Sequence, residues 1–99
     1  MYFAVFVTHK PGMSQARNDL YDAFSTYLRD HPDHPDVTYH HGGPTLSDNG
    51  ESVTGLLLVI DAPSHAAAES FVADSPYGKA GLFAESHVRQ WDWTTGRPS

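Results

Sequence analysis

The chain contains 99 residues, no cysteine, and six basic against twelve acidic side chains, which give a formal charge of −6. This length suits one domain, and the missing cysteine excludes disulfides and thiolate chemistry. The acidic charge argues against nucleic acid as a partner, because phosphates need a lysine- or arginine-rich surface. The apolar stretch 1–7 is too short for a signal peptide or a membrane span, so we expect a soluble, cytoplasmic protein without a membrane partner.

The first half of the chain predicts a strand, a long helix and a second strand. Tyr2–Thr8 is apolar at successive positions, which is typical of a strand buried on both faces. Ser14 can cap a helix that runs to about Asp30 and carries an apolar stripe, and the proline-rich stretch 31–36 ends it. A second strand is predicted over 37–43, closed by a Gly-Pro pair.

The second half predicts a strand, a helix and a final strand. A hairpin-type turn over Ser47–Gly50 precedes a third strand, Val53–Asp61, whose centre is apolar at every position. A second helix begins near Pro63-Ser64 and runs to about Ala73. Residues 74–78 then form a loop or a single turn, a fourth strand spans 85–93, and the single domain 1–94 is followed by a frayed tail at 95–99.

This order, βαββαβ, is the ferredoxin-like arrangement, an α+β fold with a four-stranded antiparallel sheet. Two helices cover only one face of such a sheet, whereas the first and third strands are apolar on both faces. The second face therefore needs a cover. We predict a homodimer in which the sheets of two copies pack against each other.

A histidine and an aspartate are the first candidates for chemistry. His9 follows the first strand, and Asp19 lies in the second turn of the first helix, which a short loop brings close to the end of that strand. A carboxylate that orients an imidazole makes a general base near neutral pH. In the alternative interpretation Asp19 is a solvated charge stabilised by the helix dipole, and His9 is a surface loop residue.

A second group offers the ligand types of zinc or iron, but without the spacing of a metal site. Its members are His31, Asp33, His34, Asp36, His40 and His41. Most of them lie in a proline-rich loop, and the adjacent His40 and His41 should point to opposite faces of a strand. We therefore expect no metal. No glycine-rich phosphate loop or nucleophile elbow is present either, so we expect no nucleotide cofactor.

Further candidates are single side chains. Ser75 and Tyr77 offer hydroxyl groups, although the segment around them also suits a helix stop and a packing turn. His41 is either a pocket residue or a partly exposed strand histidine. A face of the predicted fourth strand carries aromatic and basic side chains that suit ring stacking or packing on a partner; its members are His87, Arg89, Trp91 and Trp93.

Several short motifs, in order, resemble the YciI-like (YCII-related) family of the dimeric α+β barrel group over roughly residues 2–93. The motifs are Lys10-Pro11-Gly12, Arg17, Gly43-Pro44, Gly55, Ser64, Ser75-Pro76-Tyr77 and the stretch 79–83. The proposed site of that family pairs an aspartate at the end of the first strand with a histidine in the first helix. Here His9 and Asp19 stand at those places, so the two residue types look exchanged, and Ser75 replaces an aspartate before Pro-Tyr.

The resemblance implies an enzyme that works without a cofactor on a small molecule. The chemistry assigned in that family includes dehydrochlorination of a chlorinated hydroxyhydroquinone, and neighbouring barrel families isomerise muconolactones or oxidise quinols. We therefore expect a lyase or isomerase for a small aromatic, quinol or lactone substrate, with His9 as the base and Asp19 orienting it. The expected substrate-binding residues are Arg17, His41, Gly43, Pro44, Ser75 and Tyr77. The alternatives are a non-catalytic ligand-binding homodimer and a cofactor-free quinol monooxygenase.

Overall fold

A computed structural model describes residues 1–98 of the protein. Its elements are β1 (Tyr2–His9), α1 (Ser14–Arg29), β2 (Thr38–Leu46), β3 (Val53–Asp61), α2 (His65–Ala73), α3 (Pro76–Lys79) and β4 (Phe83–Gln90). The strands lie in the order β2-β3-β1-β4, and every neighbouring pair is antiparallel. This confirms the predicted ferredoxin-like α+β fold. The predicted tail carries no helix or strand over 95–98, and Ser99 lies outside the described residues.

Several predicted boundaries differ from the structure. β2 continues through Pro44 to Leu46 instead of closing there, because β2 is an edge strand and a proline without an N–H is tolerated at an edge. β4 spans Phe83–Gln90 instead of 85–93. It pairs only with β1, so it ends where β1 ends. Ser14 is the first helical residue of α1; the cap position is Met13, without a side-chain cap bond.

The core lies between one face of the sheet and the helices. Alternate residues of the two central strands point into it. These are Phe3, Val5 and Val7 from β1 and Leu56, Leu58 and Ile60 from β3, and all are buried. Phe71 of α2 and Phe24 of α1 complete the core from the helical layer. Ser64 caps α2 by accepting a hydrogen bond from the Ala67 N–H at 3.1 Å.

The opposite face of the sheet carries apolar side chains outside the core. Phe6 pairs with Leu57 across β1 and β3, and their side chains remain 47% and 36% exposed. At one end of this face, Trp93 is buried against Tyr2 and both His40 and His41, with ring centroids 5.2 to 5.7 Å apart. The prediction that these two histidines point to opposite faces is therefore wrong, because a register shift in β2 interrupts the alternation there.

Candidate active site

A cavity of about 220 Å³ lies between α1 and the β2–β3 side of the sheet. One stripe of α1 forms its first wall, with side chains three or four residues apart. These are Arg17, Tyr21, Phe24, Ser25 and Leu28. The second wall is made by the sheet, through Tyr39, Gly42, Gly43 and Pro44 of β2 and Val53, Gly55 and Leu56 of β3, and His9 and Tyr77 complete the lining.

His9 is the last residue of β1, and the pairing between β1 and β4 shifts register between Thr8 and His9. Such an irregularity re-aims the side chain at the end of a strand. The imidazole lies edge-on to Tyr77, with centroids 5.8 Å apart, and stacks over Phe83 at 6.1 Å. Its Nε2 is buried and has no hydrogen-bond partner among residues 1–98. A buried nitrogen without a partner costs about 1–3 kcal/mol, which a bound hydroxyl group would recover.

Burial first, and the positive charge of Arg17 second, lower the pKa of His9 below its ordinary value. Both causes act in the same direction, because each disfavours the imidazolium form. His9 is therefore neutral at neutral pH. A neutral imidazole at the wall of a largely apolar cavity is able to accept a proton from a bound molecule.

Asp19 is exposed and accepts a hydrogen bond from the Gln15 side-chain amide at 2.8 Å. It lies two residues from Arg17 and two from Tyr21, which both line the cavity, so it is about half a turn around the helix from them. Its carboxylate consequently faces away from the cavity. The structure does not bring Asp19 and His9 together, and among residues 1–98 the only charged side chain beside His9 in the cavity wall is that of Arg17.

Tyr77 is buried and stacks on Phe24, with ring centroids 4.1 Å apart and planes 6° from parallel. Its hydroxyl group donates to the main-chain oxygen of Arg17 over a long 3.5 Å. Burial raises the pKa of this phenol, so it stays a neutral donor at neutral pH. Tyr77 thus lies where a ring hydroxyl or carbonyl group of a bound molecule can meet it.

Of the other predicted residues, Gly43 and Pro44 line the cavity, whereas His41 does not. His41 is exposed on the other face of the sheet, opposite Val59. Ser75 is outside the cavity as well. Its buried hydroxyl group donates to the Val72 carbonyl oxygen at 2.7 Å and accepts from the Gly78 N–H at 3.1 Å, so it caps α3.

Replacing Ser75 with alanine is expected to lower the free energy of unfolding by about 1–2 kcal/mol, because one buried carbonyl group loses the shorter of its two hydrogen bonds and one helix N–H loses its partner. Ligand binding in the cavity should not change, since Ser75 does not reach it. Chemical denaturation and a binding titration of the same variant separate the two effects. Weaker ligand binding at unchanged stability would instead assign the hydroxyl group to the site.

Sequence reasoning missed Tyr21, Ser25 and Tyr39, which line the cavity. The first two follow Arg17 at intervals of four residues, and this spacing was the available signal. No sequence signal identified Tyr39, because the face of the sheet to which its side chain points depends on the register shift in β2.

Residues 1–98 contain no group of three or more histidine, aspartate or glutamate side chains placed to hold an ion, and the histidines of the loop before β2 contact other groups. His31 contacts the main-chain oxygens of Tyr27 and Val37, each at 2.7 Å. His34 pairs with Asp74 at 2.9 Å. These contacts tie the loop before β2 to α1 and to the end of α2. No helix in the described part of the chain is both long and apolar enough to cross a membrane.

The chain is similar to one protein family and to several solved structures, two of which show the range of this similarity. The family model of the YCII-related domain matches residues 1–92. A solved structure of 5-chloro-2-hydroxyhydroquinone dehydrochlorinase (TftG) from Burkholderia phenoliruptrix AC1100, in complex with 2,5-dihydroxybenzoquinone, is 35% identical. That match covers 93% of this chain and 94% of the other, with a TM-score of 0.76.

The protein At3g17210 from Arabidopsis thaliana shares the fold at 13% identity and a TM-score of 0.55, over 98% of both chains. Among the curated proteins, none matches this chain.

Proposed function

The chain belongs to the YCII-related domain family, and on that premise we propose that it is a cofactor-independent lyase for a small hydroxylated ring, with His9 as the general base. One observation carries the proposal: a neutral imidazole with an unpartnered buried nitrogen lines a small, mostly apolar cavity. The similarity to a dehydrochlorinase over 93% of the chain supports the same reaction class.

The size of the cavity supports a substrate with one ring. A cavity of about 150 Å³ with apolar walls is enough to hold benzene. The cavity here, about 220 Å³, leaves room for a ring with a few substituents. The similar dehydrochlorinase was solved with 2,5-dihydroxybenzoquinone, a ring of this size, which supports a quinol or quinone class of ligand.

On a chlorinated hydroxyhydroquinone the reaction needs only proton transfers and a leaving group. His9 accepts the proton of the hydroxyl group next to the C–Cl carbon and delivers it to that carbon, which becomes tetrahedral as the oxygen forms a carbonyl. Loss of the proton from the hydroxyl group para to this carbonyl then forms the second carbonyl, and chloride leaves with its bonding electron pair. The products are a hydroxyquinone and HCl, and no oxidant is consumed.

The surrounding side chains position the ring. Tyr77 exchanges its long hydrogen bond to the Arg17 main-chain oxygen for one that it donates to a ring oxygen, and Phe24 supports the phenol by stacking. Gly43 and Pro44 close the β2 side of the cavity and leave space for the ring edge. Arg17 keeps His9 neutral and stabilises the negative charge that develops on the ring oxygen.

Release of chloride from 5-chloro-2-hydroxyhydroquinone tests the proposal, with a chloride electrode and an oxygen electrode recording the same reaction. We expect one chloride per ring without oxygen uptake. Oxygen uptake in step with product would replace the lyase by a cofactor-free quinol monooxygenase. Binding of quinols and lactones without turnover of any would favour the non-catalytic ligand-binding homodimer.

The dependence of turnover on pH follows from the lowered pKa of His9. Only neutral His9 accepts a proton, so the midpoint of the decline in turnover should lie below the ordinary histidine value of 6.5. Replacing Arg17 with glutamine removes one cause of the lowering and should move this decline to higher pH. A pH profile of kcat/KM for both proteins measures the shift; a decline whose midpoint lies at or above pH 6.5 in the wild type contradicts the prediction.

The lowered pKa of His9 also makes the stability of the folded protein depend on pH. The pKa of His9 is lower in the folded protein than its ordinary value of 6.5, so the folded state binds fewer protons at this position. This contribution to stability is present above pH 6.5 and is lost as the pH falls through the folded pKa. The neutral state that suits proton abstraction is thus also the one that the fold favours.

We also propose that two copies pair through the open face of the sheet, as the sequence predicts. The exposed side chains of Phe6 and Leu57 lie side by side at its centre, and water contact with such a patch is unfavourable. Sedimentation equilibrium of the wild type should give twice the mass of one chain. Replacing Leu57 with glutamate should shift the protein to one chain, whereas a monomeric wild type would contradict the pairing.

A further inference from the structure

A second cleft, of about 370 Å³, adjoins the ring cavity at the start of α1. The two spaces share three lining residues, His9, Arg17 and Val53. Whereas aromatic and aliphatic side chains dominate the inner cavity, the outer cleft adds Lys10 and the hydroxyl-bearing Thr8. The site therefore has an inner chamber that suits a ring and an outer chamber of different chemistry, with His9 and Arg17 between them.

The charge of the outer cleft is the reverse of that of the whole protein. The chain carries a formal charge of −6 and only six basic side chains, yet two of these, Lys10 and Arg17, line this cleft. Within residues 1–98 no aspartate or glutamate lines either space, and neither Lys10 nor Arg17 forms an ion pair. Two cations without a protein counter-ion beside a cavity attract an anion from solution.

The backbone adds donors at the same place. Gly12, Met13 and Ser14 line the outer cleft, and α1 begins there with no side-chain cap and no acidic residue in its first turn. The first N–H groups of a helix are free donors that favour negative charge. They reinforce the two cations but do not by themselves define a site.

We infer that the ligand is a hydroxylated ring that bears a carboxylate, with the ring in the inner cavity and the carboxylate in the outer cleft against Arg17 and Lys10. This inference rests on the proposed function for the placement of the ring. A guanidinium group binds a carboxylate through two parallel hydrogen bonds, and Arg17 lies at the junction of the two chambers.

Isothermal titration with two matched compounds tests this inference. 2,5-Dihydroxybenzoate and 2,5-dihydroxybenzamide differ in charge but hardly in shape. We expect the wild type to bind the benzoate at least about tenfold more tightly than the amide, as charge-assisted hydrogen bonds require. Arg17→Gln should abolish this preference, and Lys10→Gln should reduce it. Arg29→Gln removes an exposed cation of α1 outside both spaces and should leave the preference unchanged.

Equal affinity of the wild type for the two compounds overturns the inference, and so does a preference that survives both substitutions or a failure of the benzoate to bind. Arg17→Lys, which keeps the charge, separates loss of charge from damage to the fold and should retain part of the preference.

Repeating the titration with added sodium chloride shows whether chloride competes for the same place. None of these measurements requires turnover. Chloride release without a carboxylate preference leaves the proposed function standing, and a preference without turnover leaves this inference standing.

Discussion

Replacing His9 with glutamine is expected to lower turnover by about 10²–10⁴-fold, which is the usual contribution of a general base. Glutamine keeps approximately the size and polarity of the imidazole but accepts no proton at neutral pH. The loss should appear in kcat more than in KM, because the ring is held chiefly by the walls of the cavity. Stopped-flow measurements of the quinone product with wild type and variant give both constants.

The same experiment with Asp19→Asn decides between the pairing predicted from the sequence and the geometry of the structure. Asp19 is exposed and bonded to Gln15, so its loss should leave turnover unchanged within error. Asp22→Asn, another exposed carboxylate on α1, is the matched control for a change of net charge. If Asp19→Asn lowers turnover as much as His9→Gln while Asp22→Asn does not, the exchanged His9–Asp19 pair operates and α1 must turn when substrate binds.

The position of His9 in the site was predictable, and the orientation of Asp19 was not. A motif that ends a strand predicts at which end of the sheet the next residue lies. This was enough to predict the position of His9. The side of a helix that faces a cavity depends on how the helix packs on the sheet. The apolar stripe of α1 locates the core, but the cavity opens along a neighbouring stripe that begins at Arg17.

Ser75 and β2 show two further limits. A serine before a proline can serve a ligand or a cap equally well, and the choice was made by the neighbouring main-chain groups of Val72 and Gly78. Pro44 predicts the end of a strand unless the strand is known to lie at an edge. Sequence patterns therefore predicted the order of elements and the open apolar face, whereas contacts between elements decided which polar groups reach the cavity.

The charges around His9 are related to the orientation of Asp19. Burial and Arg17 keep His9 neutral, which the proposed base needs, and in the proposed reaction the same Arg17 would stabilise the anion that forms. An aspartate paired directly with His9 would raise the pKa of the imidazole and favour the imidazolium. The orientation of Asp19 away from the cavity is thus consistent with a base that must be neutral before the reaction.

Replacing Gly55 with alanine is expected to destabilise the fold by about 3 kcal/mol or more. The buried position has no space for a methyl group, so the surrounding backbone must shift. A Cβ atom built at Gly55 clashes with the main-chain oxygen of Val7 on the neighbouring strand, and it comes within 3.0 Å of the Thr45 hydroxyl oxygen on the other side. A main-chain atom of a central strand cannot move aside as the end of a flexible side chain can. For a domain of this size the melting temperature should fall by about 10 °C or more.

Gly43→Ala is the matched control, because no atom of the described residues lies within 4 Å of a Cβ atom built at Gly43 on the edge strand β2. Its melting temperature should stay close to that of the wild type. Equal melting temperatures for the two variants would contradict the close approach of β1 to Gly55. Because Val7 lies two residues before His9 on β1, any shift of the strand that accommodates Gly55→Ala also displaces the imidazole. Activity measured at low temperature, where the variant is still folded, should therefore fall as well.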